Sequence, residues 1–114
     1  MQPALESARA EGAARRTAAF LDDARRRAVL GRRELEVRCN PRAGRLELLG
    51  ETAEAKEFPI PEQVSLVSCR PERVRYFPQG SSTGMTLLLR DLRGRERQLT
   101  VGAFTGLASV DFPP

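Results

Sequence analysis

Small apolar side chains recur at three- and four-residue steps through the first thirty residues, a spacing that places them on one face of an α-helix. The positions on this face are Ala10, Ala13, Ala14, Thr17, Phe20, Leu21, Ala24 and Ala28. We predict one helix from residue 4 to about 30, ended by Gly31 because glycine readily adopts the left-handed conformation that follows a last helical turn. The residues predicted to pack this helix on a sheet are Phe20, Leu21, Ala24 and Ala28.

After residue 31 the pattern changes to alternation of apolar and polar residues, which is typical of half-buried strands. Leu35, Val37 and Cys39 alternate with charged residues, and turn-forming residues at 40–44 separate them from a second alternating segment at 46–48. These two segments predict a hairpin. Further strands are predicted at 64–68, 74–77, 85–90, 98–101 and 107–112.

Residues 51–61 are polar and contain proline, so we predict a surface loop there. One helix followed by about seven short strands indicates an α+β protein rather than alternating βαβ units. Antiparallel strands at this spacing usually close into a sandwich or a curled sheet. We therefore predict a long N-terminal amphipathic helix over residues 1–31, packed on an antiparallel, sandwich-like head over residues 32–114.

The 114 residues are enough for one domain with a modest core. The net charge is +4, and all of the positive excess lies in residues 1–49. Such asymmetry can indicate a nucleic-acid or anionic-membrane partner, but a charge run is more often a solvated helix face. Acidic residues are interleaved and aromatic residues for base stacking are few, so nucleic acid is not the expected partner. No apolar run is long enough to span a membrane or to serve as a signal peptide.

The sequence contains no histidine, which excludes Ser–His and Cys–His nucleophile pairs and the usual zinc ligand sets. The loop at 80–84 reads Gly-Ser-Ser-Thr-Gly, but Ser81 and Ser82 lack the spacing of a nucleophile elbow. Met85 stands where a phosphate-binding loop requires lysine. We instead expect the glycines to allow positive φ and the hydroxyls to bond neighbouring backbone. No catalytic, metal or cofactor site is predicted, and the expected role is not enzymatic.

Cys39 and Cys69 are the two cysteines, thirty positions apart. A disulfide between them would stabilise the domain by roughly 2–4 kcal/mol. Two separate buried thiols would instead act as small hydrophobic side chains. The residues themselves leave both alternatives open.

Residues 77–84 resemble the Phe-x-Pro-x-Gly-Ser-Ser-Thr-Gly-Gly signature of the GspH/FimT family of minor pseudopilins, although here the Phe directly precedes the Pro and Met85 replaces the second Gly. The signature residues are Phe77, Pro78, Gly80, Ser81, Ser82, Thr83 and Gly84. Three further segments resemble the family in the same order: 23–29 its Ala-Arg-x-x-Ala helix segment, 40–45 its first hairpin turn, and 104–106 its Leu-Thr-Gly turn before the last strand. The resemblance covers nearly the whole chain.

The resemblance implies a type IV pilin-like fold and a structural role. In this family the first half of the helix is a membrane anchor, made as a prepilin and then cleaved and methylated at its N terminus. That half has no counterpart here, so we expect residues 1–114 to be the soluble part and Met1 to be an introduced start. The head would lie in the periplasm and join the pseudopilus of a type II secretion system, which exports folded proteins across the outer membrane.

The implied partners are the major pseudopilin G and the minor pseudopilins I, J and K, together with the inner membrane through the missing anchor. Residues at the start of the helix, Leu5, Ala8 and Arg9, would contact neighbouring subunits. An oxidising periplasm favours pairing of Cys39 with Cys69.

A related branch, the FimT-like minor pilins of type IV pili, supplies an alternative function. Some of its members bind DNA during uptake through a basic Gly-Arg-x-Arg tail after the last turn. The matching residues 106–109 are Gly-Leu-Ala-Ser and contain no arginine, which counts against DNA uptake.

Overall fold

The computed structural model describes residues 3–111, with side chains from residue 8 onward. Helix α1 spans Pro3–Gly31 and precedes eight strands in the described part of the chain. The strands are β1 (Leu35–Asn40), β2 (Arg45–Leu49), β3 (Lys56–Pro59), β4 (Val64–Arg70), β5 (Arg73–Tyr76), β6 (Met85–Asp91), β7 (Glu96–Val101) and β8 (Ala108–Asp111).

The strands form two antiparallel sheets of four strands each. The first sheet has the order β3-β2-β1-β5 and the second sheet has the order β4-β6-β7-β8. Helix α1 contacts strands of both sheets, so its apolar face is part of the same core as the two inner sheet faces. Sequence alternation decides which side chains enter that core, because successive residues of a strand point to opposite faces.

The predicted helix face is the buried face. Ala10, Ala13, Ala14, Leu21, Ala24 and Ala28 are each at most 1% exposed. Thr17 is also buried, and its hydroxyl donates to the backbone oxygen of Ala13 at 2.9 Å, which satisfies the polar group. Phe20 is half-buried, and its ring stacks on the ring of Phe58 with centroids 4.8 Å apart. Small side chains thus let the helix approach the sheets closely over most of its length.

The prediction of a surface loop over residues 51–61 is wrong in its second half, where β3 forms. This strand pairs with β2, and Phe58 lies opposite Leu46. It is an edge strand of the first sheet with exposed flanking residues and a proline at its end, so alternation is nearly invisible in the sequence. The contact between Phe58 and Phe20 fixes it on the core.

Strand β4 is longer than predicted because it contains a bulge. The register with β6 shifts between Leu66 and Ser68, which leaves Val67 as an extra residue. The bulge returns Cys69 to the inner face, where its sulfur is bonded to that of Cys39. The two Cα atoms are 6.3 Å apart, and the disulfide connects β1 of the first sheet to β4 of the second.

The helix ends differently from the prediction. Gly31 is still helical, and the left-handed residue is Arg32, with φ of 50°. The amide of Arg33 donates to Ala28 at 3.1 Å and that of Arg32 to Val29 at 3.3 Å, the two bonds of a Schellman cap. The cap geometry requires a left-handed residue one position after the glycine, so Arg32 adopts a conformation that ordinarily costs a side chain about 1–2 kcal/mol.

The remaining predicted strands agree with the structure within a few residues. The hairpin of β6 and β7 pairs Leu87 with Leu99 and Leu89 with Arg97. The last strand is shorter than predicted, ending at Asp111, and its predicted end at Phe112 lies outside the described residues.

Candidate functional site

Residues 77–84, which resemble the GspH/FimT signature and are called the signature loop below, form a tight connection between β5 and β6. The amide of Gly80 donates to the oxygen of Phe77 at 2.9 Å, and the amide of Phe77 donates to the oxygen of Ser81 at 3.0 Å. Gly80 and Gly84 have φ of 101° and 82°, which other residues adopt only with strain. The signature glycines are therefore explained by backbone conformation.

Two of the three loop hydroxyls, those of Ser82 and Thr83, bond to neighbouring backbone as predicted. The Ser82 hydroxyl donates to the oxygen of Gly102 at 2.8 Å and accepts from the amide of Gly84 at 3.0 Å. The Thr83 hydroxyl accepts from the amide of Arg75 at 3.0 Å. These bonds attach the signature loop to β5 and to the β7–β8 turn, so both hydroxyls have structural partners.

Two side chains of α1 hold the same region. Arg25 Nε donates to the backbone oxygens of Gly80, at 2.9 Å, and Thr105, at 2.8 Å. One turn earlier on the helix, the Asp22 carboxylate accepts from the amide of Ala108 at 2.8 Å. We call these five residues the clasp, because they join the helix, the signature loop and the β7–β8 turn.

Side chains are excluded at two glycines beside Arg25, Gly80 of the clasp and the neighbouring Gly106. A Cβ atom at Gly80 would lie 2.7 Å from Arg25 Nη2. At Gly106, φ is 67° and a Cβ atom would clash with the backbone oxygen of Gly80. The turn at residues 104–106 and the signature loop therefore touch through backbone, and glycine is required for that contact.

Two charged residues of the clasp, Asp22 and Arg25, influence the pKa of the buried Tyr76. Burial raises the pKa of its hydroxyl, the charge of Asp22 acts in the same direction, and Arg25 opposes them. The phenol therefore stays protonated and cannot serve as a base near neutral pH. Its oxygen has no hydrogen-bond partner among the described residues.

The other predicted site residues lie apart from the clasp. Ala8 and Arg9 are exposed at the start of α1, before the buried face begins at Ala10, and the side chain of Leu5 lies outside the described residues. Within residues 3–111 no three His, Cys, Asp or Glu side chains are grouped as a metal site would require. No helix in the described part of the chain is both long and apolar enough to cross a membrane.

Several helix arginines are paired with acids. Arg15 contacts Glu11 at 2.8 Å, while Arg26 and Arg27 contact Asp23 at 2.6 and 2.7 Å. Hydrogen bonds from Arg27 and then Arg26 lower the pKa of Asp23. This pairing neutralises part of the positive charge that the sequence concentrates in its first half.

The roles of Asp22 and Arg25 were missed by sequence reasoning. Residues 23–29 were matched to a family helix segment, but no contact was assigned to Arg25. Its two acceptors lie 55 and 80 positions away along the chain, and no local sequence pattern predicts contacts between residues so far apart. The one available signal was a charged pair three residues apart beside an apolar helix face.

A long helix packed on two antiparallel sheets, with the helix clamped to the loops at one end, defines a type IV pilin-like α+β fold, as predicted. The type IV minor pilin FimU of Pseudomonas aeruginosa has a TM-score of 0.70 at 18% identity over 98% of this chain and 93% of that chain. A second crystal form of FimU has a TM-score of 0.68 at 17% identity over 89% and 91%.

The minor pseudopilin EpsH of the type 2 secretion system of Vibrio cholerae has a TM-score of 0.69 at 15% identity over 90% of this chain and 96% of that chain. No family model and no curated protein sequence matches the chain. The likeness is thus one of fold, shared by a pilus component and a secretion component.

Proposed function

We propose that this chain is a non-catalytic minor subunit of a pilin-like filament. The observation that carries the proposal is fold likeness along nearly the whole chain to both a minor pilin and a minor pseudopilin. The signature loop supports it, because its glycines and hydroxyls build the head and hold it on the helix. A loop with that function needs no substrate.

The finer proposal is a subunit of the type II secretion pseudopilus, with a periplasmic head and an inner-membrane anchor preceding α1. Its partners would be the major pseudopilin G and the minor pseudopilins I, J and K. The likeness to EpsH supports this assignment. The disulfide between Cys39 and Cys69 is consistent with an oxidising compartment such as the periplasm.

The likeness to FimU favours a second candidate, a minor pilin of a type IV pilus. The DNA-uptake variant of this candidate has less support. Residues 106–109 carry no arginine, Arg25 is bonded to two backbone oxygens, and Arg15 is paired with Glu11. A gel-shift assay near physiological salt tests that variant, since phosphate contacts through unpaired arginines would give salt-dependent binding.

Complementation of a deletion strain tests the proposal and separates the two candidates. The full-length gene carrying Arg9→Glu should lower assembly, because Arg9 is exposed where the helix leaves the buried face. Arg42→Glu, at the exposed β1–β2 turn, is the matched control and should complement fully. Secreted protein in the culture medium and pili on the cell surface are measured in the same strains.

Loss of secretion alone assigns the chain to the secretion system, and loss of pili alone assigns it to the pilus. Thermal unfolding of the purified variant should be unchanged, since Arg9 makes no part of the core. A deletion strain that loses neither secretion nor pili would contradict the proposed function.

A further inference from the structure

The centre of the outer face of the second sheet carries no charge. Charged residues lie only at its border: Arg70 opposite Thr86, Asp111 opposite Gln98, and the pair of Arg90 and Glu96. Side chains at alternate positions of β6, β7 and β8 point inward, as shown by the burial of Leu87, Leu89, Leu99 and Val101. The intervening positions point outward. Leu107 belongs to this set, because the amide of Gly102 donates to its oxygen at 3.0 Å and so continues the pairing of β7 with β8 by one residue. We call these outward side chains the uncharged face: Thr86, Leu88, Gln98, Thr100, Leu107 and Ser109.

This face departs from the rest of the protein. Charged residues make up 30% of the chain, yet residues 76–89 and 98–110 contain none. The fold brings these two stretches side by side, since β6 pairs with β7 and β7 with β8. Charge depletion together with apolar and aromatic side chains characterises the centre of protein interfaces, whereas bulk hydrophobicity does not.

Phe104 stands at the edge of this face and is 95% exposed, while Leu107 is 51% exposed. The turn that presents them is held at several points. Gly106 donates to Gly102 at 2.8 Å, Ser82 donates to Ala103 at 2.8 Å, and Arg25 binds the oxygen of Thr105. A buried phenylalanine would stabilise the fold by about 1.5–3 kcal/mol, so its exposure on a fixed turn contributes nothing to folding. An aromatic side chain on a rigid turn loses little conformational entropy on binding. Such side chains are common among the few interface residues that dominate affinity.

We infer that the uncharged face and Phe104 dock on the head of a neighbouring pilin-like subunit within the filament; this inference rests on the proposed function. Strand spacing and rise give the face roughly 200 Å², about a quarter of what each partner of a stable free-standing complex buries. A surface of this size suits subunits that another element, here α1, already holds together, because tethering raises their effective concentration. Two arginines border the face, Arg70 and Arg90, and two acids border it as well, Glu96 at 3.3 Å from Arg90 and Asp111 opposite Gln98. The face therefore has no positive excess that would attract nucleic acid or anionic membranes.

Site-specific photo-crosslinking of the full-length protein in cells tests the inference. p-Benzoylphenylalanine is placed at Leu88 or Phe104 on the proposed surface, at Arg9 on the helix, and at Glu57 on the exposed edge of the first sheet as the control. The expected result is an adduct with a different pilin-like subunit, identified by mass spectrometry, from Leu88, Phe104 and Arg9 but not from Glu57.

A second substitution measures the contribution of Phe104. Phe104→Ala should lower the Leu88 adduct about tenfold, the effect of losing an anchor residue from an interface. Leu92→Ala is the matched control, because Leu92 is 75% exposed on the β6–β7 turn away from the face, and it should leave the adduct unchanged. Both variants should unfold at the temperature of the unmodified chain.

The outcomes separate this inference from the function on which it rests. Adducts from Arg9 but from neither Leu88 nor Phe104 would overturn the docking surface and leave the filament role intact. No pilin-like adduct from any position would overturn both. Adducts of Leu88 or Phe104 with lipid or with a second copy of this chain would identify a different occupant, and so would a stable dimer of the 114-residue chain in sedimentation that Phe104→Ala abolishes.

Discussion

The two sheets have similar inner faces and different outer faces. Inside, both present Leu and Val side chains that are almost completely buried. Outside, the first sheet carries a network of acids and arginines, including Glu36 bonded to Arg38 at 3.1 Å and Arg45 near both Glu47 and Glu57. The second sheet carries hydroxyl, amide and leucine side chains at the centre of its outer face, and its charged residues lie at the border: Arg70, Arg90, Glu96 and Asp111. Folding dictates the inner faces, so the difference outside reports what each sheet meets, which is water for the first and, by our inference, protein for the second.

The sheets are also attached to the helix in different ways. The first sheet meets it through ring stacking of Phe58 on Phe20, and a salt bridge of 2.8 Å joins Arg27 to Glu51. The second sheet meets it through the polar clasp, in which Arg25 and Asp22 bond backbone groups directly. The second sheet is therefore held to the helix by hydrogen bonds to its β7–β8 turn in addition to apolar packing of β8 on α1.

The largest effect is expected from adding a side chain where Gly106 contacts Gly80 of the clasp. Gly106→Ala should lower the free energy of unfolding by about 4 kcal/mol, combining left-handed strain with overpacking against the oxygen of Gly80. Gly94→Ala is the control, because Gly94 has φ of 83° but open space around it, and it should cost about 1 kcal/mol. Urea unfolding measures both, and hydrogen exchange should show deprotection of β8 before β1. Equal losses in the two variants would contradict the steric role of Gly106.

Removing the covalent link between the sheets should have the next largest effect. Replacing Cys39 and Cys69 with alanine, or reducing them, is expected to cost about 3 kcal/mol because the unfolded chain gains freedom. This cost is measured by comparing the denaturant midpoints of the oxidised and the reduced protein. Identical midpoints would mean that noncovalent packing alone holds the sheets together.

A smaller change of opposite sign is expected where the helix leads into the first sheet. Arg32→Gly should raise the free energy of unfolding by about 1 kcal/mol, since glycine adopts the left-handed conformation without strain. Arg33→Gly is the control, because Arg33 lies outside the left-handed region and donates to the oxygen of Glu51 at 3.0 Å, so its loss should destabilise. Thermal unfolding compares the two variants, and a loss of stability in Arg32→Gly would contradict the assignment of the cap.

The smallest effect is expected at acidic pH in the β6–β7 hairpin of the second sheet. Partial burial would raise the pKa of Asp91, but hydrogen bonds from the amides of Arg95 and Arg93 and from the Arg97 side chain hold it below its ordinary value. A carboxylate with a lowered folded pKa stabilises the protein above the unfolded pKa of about 4 and loses that contribution as pH falls below it. Stability measured between pH 6 and 2 should therefore fall less steeply in Asp91→Asn than in the unmodified chain. The same slope in both would exclude Asp91 as a source of acid sensitivity.

The fold was predictable where a repeating pattern covers many residues. The helix face from Ala10 to Ala28 follows the 3.6-residue period throughout, so burial could be assigned residue by residue. The pattern was insufficient where one residue alters the local geometry. The bulge at Val67 makes the inward positions of β4 change from even to odd residue numbers, so that Cys69 points inward. Pro59 makes the edge strand β3 look like a loop in the sequence.

The clasp was predictable only in part. The signature glycines and hydroxyls at 80–84 could be assigned to backbone roles, since their chemistry is local. The participation of Asp22 and Arg25 depends on where the chain places a turn 80 residues later. Contacts of that kind arise from tertiary packing and cannot be predicted from the pattern of a short sequence segment.

The alanine face of α1 has a consequence for how the helix is seated. Apart from the buried Leu21, the side chains of this face are small and similar, so they would select poorly against a slide of the helix by one turn, about 5.4 Å. Arg25 removes that degeneracy, because a one-turn slide would bring Leu21 or Val29 opposite the oxygens of Gly80 and Thr105, and neither side chain can donate a hydrogen bond. Together with Asp22 and the stacked Phe20, Arg25 therefore holds α1 in a single axial and rotational position, so that a force along the helix is transmitted to the loops.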